Sequence, residues 1–175
     1  MLTTLNFNTL LEYTGWERQK WHDWLKVHGD QVLQISGGPH GDGRFQKVGE
    51  IIRHIFSAEK RYVERLSNKP MTDPASIPAD NVEALFQFGG QSRKDLKELL
   101  ATFPVDQWDV PKEFKILTNV AVVTPEKIVI HVLMHEIRHW AQIATVLRLN
   151  GLTDDFHDFL FSPVLGGEFR REQKA

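Results

Sequence analysis

The chain has 175 residues, 21 basic against 23 acidic side chains and no cysteine. Without cysteine there is no thiol nucleophile, thiolate zinc finger, iron–sulfur cluster or disulfide scaffold, and a net charge of −2 lacks the basic excess of a nucleic-acid binder. No stretch approaches the roughly 20 apolar residues of a membrane span, and the N-terminus lacks the basic start and apolar run of a secretory signal. The expectation is one cytoplasmic domain, residues 1–175, with neither nucleic acid nor membrane as partner.

Leu10, Leu11, Trp21, Trp24 and Leu25 recur mostly at three- and four-residue intervals and predict a first amphipathic helix from about Leu5 to Val27. Trp16, Trp21 and Trp24 on it are expected in the core. The segment GGPHGDG, residues 37–43, breaks the pattern and supplies a loop. It lacks the GK[ST] ending of a phosphate cradle, so His40 within it is read as solvated. Val48, Ile51, Ile52, Ile55, Tyr62, Val63 and Leu66 mark a second helix over about 46–67, ended by a segment carrying Pro70, Pro74 and Pro78.

A third helix is expected over about 80–102, weakened by Gly89 and Gly90, with Asp80 and Glu83 at capping spacing. The β-branched stretch between Trp108 and Thr124 suggests a short hairpin or extended connection. Thr124, Pro125 and Glu126 then read as N-cap, first-turn proline and acidic first turn of a fourth helix reaching Asn150 and closed by Gly151. Phe156, Phe159 and Phe161 in the tail are expected to pack back on the body. Four long helical patterns predict an all-α four-helix bundle.

The fourth helix places His131, His135 and His139 four residues apart. Such a step advances only about 40° around a helix, so the three share one side, and Ile128, Val132, Gln142 and Val146 put His135 and His139 on the apolar stripe. A lone buried histidine is usually a satisfied core residue. Two at this spacing can both reach one metal ion, which relieves the cost of burying unpartnered imidazoles.

Two sources of a third ligand stand open. His135-Glu136-Ile137-Arg138-His139 matches HExxH, in which Glu136 would act as general base and a downstream Asp154, Asp155 or Asp158 would complete a protease-like site. Gln142 and Thr145 stand where the metzincin extension requires glycine and histidine. Alternatively His54, at the border of the apolar stripe of the second helix, completes the site from a facing helix. A fourth ligand such as His131 would close it.

The segments LLEYTGWERQKWHDWL, VGEIIRHIFSAEKRYVERL and TPEKIVIHVLMHEIRHWAQIATVLRLNG resemble the DinB-like superfamily, which includes YfiT-type bacillithiol transferases and mycothiol-dependent isomerases. That resemblance covers most of the chain and implies an up-down-down-up bundle, often a homodimer, with a divalent ion such as zinc or nickel on His54, His135 and His139. His131 would be a neighbour. Family members have an HExHHRGQ-like segment. Here Arg138, Trp140 and Ala141 depart from it while Gln142 is kept, which leaves ligand spacing intact and alters the pocket.

The resemblance also implies activation of an external low-molecular-weight thiol toward an electrophile. Arg61, Arg65 and Arg138 are candidates for anion contacts with such a cofactor, or for solvated and salt-bridged positions. The leading expectation is a metal- and thiol-dependent transferase of a small-molecule substrate. A hydrolase using Glu136, and a non-enzymatic stress-associated protein braced by its metal, are the alternatives.

Overall fold

Asn6 starts the first helix by accepting a hydrogen bond from the Thr9 amide at 3.0 Å, a side-chain cap on an otherwise unpaired first-turn donor. The computed structural model describes residues 6–41, 43–116, 118–153 and 158–166. Its main elements are α1 (Phe7–His28), α2 (Val48–Leu66), α3 (Val82–Thr102), strands β1 (Lys112–Ile116) and β2 (Asn119–Val123), and α4 (Pro125–Leu149). The strands pair antiparallel, from Lys112 opposite Val123 to Ile116 opposite Asn119, giving the expected hairpin before the last helix.

Thr124 accepts from the Lys127 amide and Pro125 occupies the first turn of α4. At its other end the Gly151 and Leu152 amides donate to the carbonyls of Arg148 and Leu147, and Gly151 takes φ +77°, a Schellman close. The start of α3 differs from expectation. Asn81, not Asp80, caps the helix by accepting from Ala84, because the Asp30 carboxylate fixes the turn through the Val82 amide and the Asn81 side chain.

Side-chain pairings give the helix directions. Thr14 and Arg18 of α1 meet Arg93 and Gly89 of α3, so that pair is antiparallel. Phe56 and Glu59 of α2 meet Gly89 and Arg93 of α3, so those two run parallel. Arg18 and Trp21 of α1 meet Glu136 and Trp140 of α4, again parallel. The order is therefore up-down-down-up. A parallel α2–α3 pair requires a long return, and residues 67–81 supply it. This crossover passes so close to α2 that a Cβ on Gly49 would lie 1.9 Å from the Ala79 carbonyl oxygen.

The core has two apolar compartments. One gathers Trp21, Leu25, Ile51, Ile55, Phe56, Leu85, Trp140 and Ile143; the other gathers Val63, Leu66, Leu96, Leu99, Ile128, Val132 and Leu133. Between them lies a charged layer built from one residue of each helix: Arg18, Glu59, Arg93 and Glu136, all buried. Arg18 grips Glu136 through Nε and Nη2 at 2.7 and 2.8 Å and Glu59 at 3.2 Å. Arg93 bonds Glu59 at 3.0 Å and Glu136 at 2.6 Å. The remaining guanidinium donors reach Gly89, Leu11 and Thr14. Two cations and two anions leave the layer formally neutral, as burial demands.

Trp21 lies in the core, whereas Trp16 and Trp24 are half-buried. Phe159 packs edge-on against Tyr13 at 5.1 Å, in keeping with a tail that folds back; Phe156 lies outside the described residues. Among the described residues no helix is long and apolar enough to cross a membrane.

Candidate metal centre

Because α2 and α4 run antiparallel, the early part of α2 faces the middle of α4. His54 therefore meets His135 and His139. His54 Nε2 lies 3.0 Å from His135 Nε2, which lies 3.1 Å from His139 Nε2, and a ligand nitrogen from each falls within 4.8 Å of the others. His139 is fully buried and the other two are half-buried, so the cluster has a closed back and an open front. The Phe45 ring, from the loop before α2, stands 4.7 Å from the His54 ring and 6.1 Å from that of His139.

The hydrogen bonding of His139 sets its tautomer. The Gln142 amide nitrogen donates to the His40 carbonyl, which turns Oε1 toward His139 Nδ1 at 2.7 Å. An amide oxygen only accepts, so Nδ1 carries the proton and the Nε2 lone pair faces the other imidazoles. His135 Nε2, within reach of two neighbours, holds at most one proton and cannot donate to both. A divalent cation removes that deficit. Nitrogens bound at 2.0–2.1 Å with angles between about 90° and 110° lie about 2.9–3.4 Å apart, and the two adjacent spacings here fall within that range. The residues fit a three-imidazole metal site of unspecified metal.

Electrostatics favour the neutral, ligating form. Burial pushes His54 down to about 4, with His139, Arg44, Arg138 and Arg61 adding repulsion. Burial likewise lowers His135 to about 3, reinforced by His139, His54, His131 and Arg138. His131 is exposed as a whole residue, its ring 5.5 Å from that of His135 and its pKa lowered by partial desolvation and by Arg138. It is a neighbour of the cluster, outside the three-nitrogen set.

Glu136 does not join the histidines. It points into the charged layer, 1% exposed, with Arg18, Arg93 and Trp140 all donating to its carboxylate. Burial alone would raise this carboxyl, but the two guanidiniums outweigh it and hold it below its ordinary value. The residue after His135 lies about 100° around the helix, and that rotation carries it past the stripe edge into the interior. The expectation of Glu136 as a base over the metal is corrected accordingly. Asp158 is also elsewhere, accepting from the Leu160 amide in the turn at 159–161. Asp154 and Asp155 lie outside the described residues.

A cavity of about 670 Å³ opens on the cluster. His54, His131 and His135 line it, and so do Arg61, Arg65 and Arg138, the three arginines singled out from sequence. Sequence reasoning missed Phe45, which carries no motif, and gave Gln142 no task, although its place three residues after His139 puts it on the same helix face.

The DinB family matches residues 1–166. The chain belongs to the DinB family. It is also similar in structure to a DinB-like protein from Bacillus cereus ATCC 10987, with a TM-score of 0.60 at 17% identity, over 84% of this chain and 94% of that one. No curated protein sequence matches the chain. The structural likeness, at this identity, bears on the fold alone.

Proposed function

We propose that this DinB-family chain is a metal-dependent transferase that joins an external low-molecular-weight thiol to a small electrophile, using zinc or nickel on His54, His135 and His139. The observation that carries the reading is the set of three converging imidazole nitrogens, two of whose rings, those of His54 and His135, line an open cavity. Three protein ligands leave coordination positions for a small molecule, as catalytic sites do and closed structural sites do not.

When bound, a divalent cation on three neutral imidazoles keeps its full charge and lowers the pKa of a thiol beside it. The chain's own part is positioning. Gln142 holds the His139 ring in its ligating tautomer, Phe45 walls one side, and the cavity admits both reactants. The thiol sulfur bonds to the electrophilic carbon, the thiol proton passes to water, and the leaving group departs with the electron pair of its bond. The chain holds no cysteine, so the sulfur comes from the second substrate.

A hydrolase reading needs a base near the cluster, and Glu136, fully engaged by three donors, does not supply one. The test is thioether formation by untagged, metal-loaded protein with chlorodinitrobenzene and a panel of bacterial thiols. Conjugation that disappears on chelation and in His54→Ala supports the proposal. Rates no faster than the uncatalysed reaction with every thiol would refute it.

A further inference from the structure

We propose that α2 extends the histidine cluster into an anion-binding wall, and that the ligand of this site carries a dianionic end group, a phosphate ester or a dicarboxylate, held by Arg61 and Arg65. The proposal rests on the metal-centre reading for what lies at the other end of that ligand. His54, Arg61 and Arg65 stand at i, i+7 and i+11 on one helix, within about 20° of a common line and about 10 and 16 Å apart from His54 along the axis. All three line the same cavity.

The charge there is lopsided. Among the described residues of the lining, Arg44, Arg53 and Arg138 join Arg61 and Arg65, against one acidic residue, Glu50, whose carboxylate already accepts the Gln46 amide; Arg44 and Arg138 have interactions of their own. The whole chain is slightly acidic, so the excess belongs to this cavity and not to the protein at large. Other buried cations are paired: Arg18 and Arg93 with Glu59 and Glu136, and the half-buried Lys60 with Asp95.

Arg61 differs from them. Its Nε is buried and has no hydrogen-bond partner among the described residues, and neither Arg61 nor Arg65 forms an ion pair there. A buried donor left without an acceptor is costly, and a guanidinium fork matches the paired oxygens of carboxylate or phosphate. The cavity volume suits a small organic molecule. The arrangement fits an elongated ligand whose anionic end sits about 10 Å or more along α2 from the atom that approaches the histidines.

The experiment is calorimetric titration of metal-loaded protein with succinate, phenyl phosphate and neutral succinamide. Both the wild type and the double variant Arg61→Gln/Arg65→Gln are titrated, with metal content and melting curves recorded for each. The proposal expects at least one dianion to bind, with affinity falling as sodium chloride rises and at least about tenfold weaker in the double variant, while succinamide does not bind. The tighter of the two dianions identifies the class of end group. Arg61→Lys, which keeps the charge and removes the fork, should show a smaller loss and covers the case of a poorly folded double variant. Equal binding of succinamide, no binding of either dianion, or dianion binding unchanged by these substitutions overturns the proposal. The two readings separate cleanly: metal bound without any dianion binding sinks the wall alone, whereas arginine-dependent dianion binding in a chain that takes up no metal sinks the metal centre alone.

Discussion

Gln142 decides which nitrogen of His139 is free to ligate. Its amide is pinned at one end by the His40 carbonyl and accepts the Nδ1 proton at the other, the outer-shell hydrogen bond that commonly orients a ligating imidazole. Gln142→Leu keeps the volume and removes the acceptor. It should weaken metal affinity by about 10–100-fold, measured by competition with a chromophoric chelator, with little change in the melting temperature of the chelated protein. Unchanged affinity would show that the ring needs no such anchor.

The same histidines impose a pH dependence on the metal-free chain. Unfolded imidazoles titrate near 6.5, while His54 and His135 in the fold are lowered to about 4 and about 3, chiefly by burial. Between those values the unfolded chain binds more protons, so stability falls as pH drops from about 6.5 toward 4. Above 6.5 both states are neutral and the effect vanishes. Glu136, whose carboxyl is lowered by its arginines despite its burial, adds its own loss only below its ordinary value of 4.5. Melting curves of chelated protein should therefore decline between pH 6.5 and 4.5, and the decline should shrink in His135→Gln. An identical slope in that variant would contradict the assignment.

At the level of elements, the charged layer ties all four helices at one height. Arg18, Glu59, Arg93 and Glu136 meet where the two apolar compartments adjoin, and the bonds among them are possible only in one axial register. Removing one partner leaves an uncompensated buried charge, so Glu136→Ala should cost about 3–5 kcal/mol in denaturant unfolding. Full stability in that variant would mean that the layer contributes nothing. A second constraint acts at Gly49, where a Cβ would meet the Ala79 carbonyl. Gly49→Ala should destabilise by about 1–3 kcal/mol, since the atom in the way is backbone and the crossover must shift.

Across the whole molecule, what was legible from the residues was what local chemistry controls. Thr124-Pro125-Glu126 and Gly151 marked both ends of α4 because caps depend on near neighbours. His135 and His139 were readable as a pair because four residues are about one helical turn. Glu136 was misplaced because one helix projection does not reveal where a second and third helix bring their arginines. The layer was hidden for the same reason: Arg18, Glu59, Arg93 and Glu136 are 34 to 118 residues apart where they bond, and each alone looks like an ordinary surface charge. His54 was nominated by resemblance and by its border position, and the antiparallel packing of α2 on α4 is what brings it to the other two.

The central claim is that three imidazoles from two helices hold one divalent ion. Metal content by mass spectrometry, on untagged wild type beside His54→Ala with Glu136→Gln as control, tests it most directly. The account predicts about one divalent ion per folded wild-type chain, its loss in His54→Ala, and its retention in folded Glu136→Gln. A wild type that stays metal-free under replete conditions, or a His54→Ala chain that keeps its ion, would contradict it.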